Sequence, residues 1–207
     1  HMNSIQGGYI GMNKEDIIKE INNGEIKEVY WPERSDCCDV ENESFENVIL
    51  DNIECYRLTF KKCTFKNVQF IDNTVEWIEV EECTFEDCVF SGKIGDILLT
   101  VGNSSFERCQ IKDFELDAVS EQLEVVDCKF DSCIFSDMKI EADLTLSGGS
   151  MTNCRGENVT GKMNMVWEVE FDKCIFENIN MNTAVLRNSL KDVEFINVNQ
   201  EGILHVK

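Results

Sequence analysis

The sequence predicts an all-β chain wound as a parallel β-helix of about eight coils, capped at its N-terminus by a short helix. Three observations predict it. First, similar fragments recur around one large apolar residue: Phe45, Phe65, Phe85, Phe106, Phe130, Met151, Phe176 and Phe195, at spacings of 20, 20, 21, 24, 21, 25 and 19 residues. Seven of the eight are Phe in a chain that has only 13, which chance rarely produces. Second, a smaller residue stands two positions before most of these, and a similar pair follows five residues later, as in Val68-Gln-Phe70 and Cys133-Ile-Phe135. A period of two puts both side chains on one face of an extended chain. Third, the chain holds a single Pro, as expected when almost every strand pairs on both sides. One coil cannot bury its own apolar face, whereas stacked coils bury a continuous core.

The elements follow in chain order. His1 and Met2 read as a cloning scar, and residues 1–11 as leader or tag outside the fold. Residues 12–35 read as a capping unit. Asn13 is an N-cap with acids in the first turn, Ile17, Ile18 and Ile21 form one apolar stripe, and Gly24 suits the C-terminal stop. A strand over Ile26–Trp31 follows. Residues 36–207 form the β-helix. Each unit opens with two five-residue segments and closes with a strand-like run such as Val75–Val80, Leu123–Val126 or Met165–Val169. The 24- and 25-residue coils carry their surplus at Asp113–Gln122 and Glu157–Lys162, expected as projecting loops. Ile203–Val206 reads as a last strand with an exposed edge, where a second copy can dimerise.

Two successive five-residue units, each with a small inward residue and then Phe or Leu two positions on, resemble the pentapeptide-repeat proteins over Glu43 to Asn199. The resemblance implies a right-handed quadrilateral β-helix with about four five-residue sides per coil. This chain departs from the family in putting Cys where Ala is usual, and in following the rule on about two sides per coil. An irregular, pentapeptide-like helix is therefore expected.

Cys63, Cys83, Cys128 and Cys174 are placed in one inward column, and Cys88, Cys109, Cys133 and Cys154 in the next. Cys here reads as a small buried hydrophobe. Eleven is an odd number, no signal peptide is evident and no Cys-x-x-Cys occurs, so neither disulfides nor zinc are expected and the protein is placed in the reducing cytoplasm. The vicinal pair Cys37-Cys38 lies outside the columns; it is the most reactive candidate among the cysteines, with ordinary coil residues as the favoured reading. Only two His occur, His1 and His205, which leaves little for a His-based catalytic or metal site. No cofactor is expected.

A net charge of −21 argues against direct binding to nucleic acid or an anionic membrane, while 43% hydrophobic residues are too many for a disordered acidic chain. The expected partner is another protein, with a basic surface. The residues after the Phe ladder form an acidic column that includes Glu86, Glu107, Asp131 and Glu177, with Glu79 and Glu124 on neighbouring strands. The next position is mostly Asn or Asp, marking a corner where stacked amides can bond from coil to coil. Phe114 and Asp117, in the surplus of the 24-residue coil, complete the candidate binding set. The function read from these features is a non-catalytic protein-interaction scaffold. The resemblance adds an alternative, since some pentapeptide-repeat proteins bind type II topoisomerases by imitating DNA. A carbohydrate-active β-helix enzyme is a second alternative, weakened by sparse arginines and no acid pair singled out beside them.

Overall fold

The structure is a computed structural model that describes residues 3–4, 10–11, 25–26, 29–30, 37–51, 53–72, 74–92, 98–116, 122–141 and 143–199. It is a parallel β-solenoid of about six turns, with partial turns continuing at each end. No helix occurs among the described residues, and the expected helix over Asn13–Gly24 lies outside them, as do His205 and the strand over Ile203–Val206. Within the expected capping unit, Glu25–Ile26 and Val29–Tyr30 pair in parallel with Ile49–Asp51 and Ile53–Lys61, so they begin the stack. Nearer the N-terminus, Asn3–Ser4 pairs antiparallel with Ile10–Gly11.

Each coil is set by backbone corners. Left-handed residues recur five apart: Lys62, Asn67 and Asp72; Asn103, Arg108 and Asp113; Asp127, Ser132 and Asp137; Glu168, Lys173 and Asn178; Arg187, Asp192 and Asn197. A coil is therefore two five-residue sides and one long side. The long side runs from Asp113 to Asp127 in one coil and only from Asn178 to Arg187 in another, so the variation in period resides there. Corner amides donate to the next coil, as Asn67 does to the Glu86 carbonyl at 2.9 Å and Arg108 to the Asp131 carbonyl at 2.9 Å. Side-chain amides add rungs at two corners. Asn67 donates to Asn47, and a longer ladder runs from Asn197 to Asn178 to Asn158 to Asp137.

The first side forms an eight-stranded sheet, and a sixteen-stranded sheet wraps the remainder. The two arms of the larger sheet join because Arg155–Trp167 pairs with both Ile134–Ile140 and Asp143–Ser147. This strand contains the segment Glu157–Lys162 that was expected to project as a loop.

The register corrects the expected ladders. The first side stacks Phe45, Phe65, Phe85, Phe106, Phe130, Met151, Phe171 and Leu190. Phe176 and Phe195 belong instead to the second side, in register with Leu50, Phe70, Phe90, Ile111, Phe135 and Gly156. The apparent 25-residue coil was a step of one extra five-residue side. Cys174 moves with Phe176. It follows Cys88, Cys109, Cys133 and Cys154, making five consecutive thiols in the second-side column, whereas Val169 and Asn188 continue the column of Cys63, Cys83, Ser104 and Cys128. In that column Gly149 stands at φ 72°, where an added Cβ would run into the Cys128 carbonyl oxygen.

The columns bond as well as pack. The eight cysteines whose side chains are described are free and buried, and each thiol has two carbonyl oxygens within reach of its one proton: that of the residue two before it and one from the preceding coil. At two positions where Cys is absent, Ser104 and Asn188 do similar work. Ser104 Oγ accepts from the Cys83 amide at 3.1 Å and donates to the Gly102 carbonyl at 2.8 Å. Asn188 accepts from the Val169 amide at 2.8 Å and donates to the Val166 carbonyl at 3.1 Å. At these positions the side chain exchanges hydrogen bonds with buried polar backbone, whereas Val169 and Gly149 fill the same column by packing alone.

Candidate functional site on the acidic first side

The three-residue strands of the first side place their central residue in the core and their flanking residues outward. The outward position after the core residue reads Glu46, Lys66, Glu86, Glu107, Asp131, Thr152, Asp172 and Lys191 down the stack. Glu86, Glu107 and Asp131 thus stand on three consecutive coils, roughly 4.8 Å apart. Like charges at that spacing repel. Arg108, at the adjoining corner, counters them. Its guanidinium donates to Glu86 at 2.6 Å, to Glu107 at 2.5 Å and to Asp87 at 2.9 Å. Arg108 holds the Asp87 carboxyl below its usual range, and Asp87 in turn raises the guanidinium. Ser132 Oγ donates to Asp131 at 2.9 Å.

The other expected binding residues do not join this group. Glu177 lies on the second side, where Arg155 bridges it at 2.5 Å to Glu157 at 2.9 Å. Glu79 and Glu124 lie on the long side in one column, with Thr100 between them. Glu79 pairs with Arg57 at 3.0 Å, and that guanidinium also sits 5.0 Å above the Trp77 ring. Phe114 is a core residue, 3% exposed, and cannot be a contact on the surface. The corner at Asp113 turns the next residue inward, in register with Met138 and Val159. Asp117 lies outside the described residues, and so do the side chains of Cys37 and Cys38.

Arg108 and Asp87 are the members that the sequence reading left out of the site. Their signal was visible: Arg108 occupies a corner position otherwise held mostly by Asn, Asp or Ser, directly after the acidic column. The assembled feature is an exposed acidic cluster with one internal cation, suited to charge recognition. Among the described residues, no group of three or more His, Cys, Asp or Glu is arranged to hold a metal ion, and no helix is long and apolar enough to cross a membrane. The chain matches no protein-family model and no curated protein.

Proposed function

We propose that this chain is a non-catalytic β-solenoid scaffold that binds the basic surface of another protein through Glu86, Glu107 and Asp131. The observation that carries this reading is the register of those three acids on successive strands, each anchored by a buried Phe one position before it. Such a rigid row displays charge at low entropic cost to the partner contact. We also propose kinship with the pentapeptide-repeat proteins, and with it right-handed winding. The corners five residues apart support this, and the long third side marks the chain as a degenerate member. The eight free, buried thiols fit a reducing cytoplasm.

Imitation of a duplex is the weaker reading. DNA carries one charge per about 1.7 Å of axis, while this column carries one per ~4.8 Å over three coils and is offset by Arg108. The test is quantitative capture from host extract by the wild-type chain and by the Glu86→Lys, Glu107→Lys, Asp131→Lys triple variant. A partner held by the wild type should be lost with the variant and at high ionic strength. Capture of the same proteins by both chains would overturn the reading.

A further inference from the structure

The apolar core of the solenoid contains a cavity of about 230 Å³. Its lining runs from Leu50 in the first turn to Met151 in the sixth, and every lining side chain is aliphatic, aromatic or Met. At ~4.8 Å per coil, that is a length of roughly 24 Å along the axis. One inward column of the long side, Ile78, Leu99, Leu123 and Leu144, lines it, with Ile78 and Leu123 buried and Leu99 and Leu144 half-buried. Phe90, Ile111 and Phe135 repeat this on the second side. Phe45 and Phe65, stacked on successive coils of the first side, lie outside the lining and are packed to 1% exposure or less.

We propose that this cavity is a binding site for one neutral long-chain aliphatic molecule, of the fatty-alcohol or alkane class. The lining offers no polar atom set that would hold water, which needs two to four polar partners. An apolar cavity of about 150 Å³ is already enough to take up benzene. Here the lining is spread over six coils, which favours a narrow, elongated guest over a compact ring system. The net charge of −21 selects against an anionic head group at either end, so the ligand is not a fatty-acid carboxylate.

The test is native mass spectrometry of the full chain with hexadecanol and, separately, with hexadecanoate. One hexadecanol per chain is expected, with hexadecanoate bound at least about tenfold more weakly at low salt. Val125→Phe and Leu144→Phe, which fill the cavity, should each remove the adduct while leaving the β circular dichroism unchanged. A measurement free of variants accompanies this: xenon under pressure should shift the methyl resonances of Leu99 and Leu144 and spare those of Val40. Absence of the hexadecanol adduct, equal uptake of the carboxylate, or xenon shifts that spare Leu99 and Leu144 would each overturn the proposal.

Discussion

The rings of Phe65 and Phe85 stack 4.7 Å apart and within 4° of parallel, one above the other in successive coils. The stack continues from Phe85 to Phe106 at 4.6 Å and from Phe106 to Phe130 at 4.7 Å. That distance is the strand separation of a parallel sheet, so the backbone dictates the stacking. Within one coil the geometry changes. Phe85 meets Phe90, five residues on, edge to face at 5.4 Å. Phe85 therefore contacts aromatic rings in its own coil and in both neighbours. Replacing Phe85 by Ala should cost about 3–5 kcal/mol in urea unfolding, with the β spectrum lost first at the lowest denaturant. A loss below about 1 kcal/mol would mean that the ring is not part of a close-packed column.

The Cys63 column should discriminate by hydrogen bonding and not by size alone. Ser104→Cys is expected to shift stability by under about 1 kcal/mol, because the Cys83 thiol already serves the equivalent two groups, accepting from the Cys63 amide and donating to the Glu81 carbonyl. Ser104→Ala is similar in volume but strands the Cys83 amide, and should cost about 1–3 kcal/mol. Equal stability of the two variants would show that the column cares only for volume.

Left-handed corners occupied by long side chains should be improvable. Lys173 holds φ 54° at the corner where neighbouring coils carry Asn153 and Asp192. The left-handed region costs most residues roughly 1–2 kcal/mol, and Asn less. Lys173→Asn should therefore raise stability by up to about 1 kcal/mol, read as a higher urea midpoint with unchanged slope. Destabilisation would contradict the corner assignment.

The pattern of Phe, Cys and Asn made the parallel stack and its corners legible, because core packing and left-handed backbone both restrict residue type. The side of the coil was less legible. Val169-Glu-Phe171 and Cys174-Ile-Phe176 carry the same small-x-large signature five residues apart, so alignment through Met151 slips by one side. Only the backbone ladder distinguishes them: the Glu170 amide donates to Gly149, and the Ile175 amide to Cys154. The loss of Cys at Val169 and Asn188 removed the marker that held the earlier coils in place. Phe114 was misplaced for a related reason. A surplus of residues suggested a loop, yet the extra length enters after the corner at Asp113 and one strand, Gln110–Leu116, runs through that corner. The acidic cluster was half legible, since Glu86, Glu107 and Asp131 follow from the first three well-marked coils after Phe65, while Glu177 inherited the slip.

Buried thiols should make the fold alkali-sensitive. Burial pushes the Cys128 thiol up to about 11, the hydrogen bond with Cys133 raises Cys154 to about 11, and that with Cys109 raises Cys133 to about 12. An unfolded thiol titrates near 9. The folded state thus binds these protons more tightly, so the stabilisation is complete below pH 9 and is lost as pH rises through 11. Each such thiol contributes a slope of up to about 1.4 kcal/mol per pH unit across that window. Cys128→Ala should lower stability at neutral pH yet flatten the decline between pH 9 and 11, by urea unfolding at a series of pH values. An unchanged slope would show that Cys128 titrates alike in both states.

Arg108 gives the most direct test of the acidic cluster, because it changes the field without touching an acid. It is exposed, and its bonds to Glu86, Glu107 and Asp87 are screened by salt, so Arg108→Ala should leave the fold intact. Its removal exposes the full negative charge of Glu86 and Glu107 and lets the Asp87 carboxyl return toward its usual range. If a basic partner reads this cluster, Arg108→Ala should bind it more tightly and faster than wild type at low salt, with the advantage vanishing at high salt. The Glu86→Lys, Glu107→Lys, Asp131→Lys variant should move in the opposite direction. A charge-matched control is Arg155→Ala, which frees Glu157 and Glu177 on the second side. It should leave the affinity close to that of the wild type. Tighter binding by both arginine variants alike would trace the partner's preference to net charge and remove the first side as its site. Weaker binding by Arg108→Ala would make that guanidinium itself a contact.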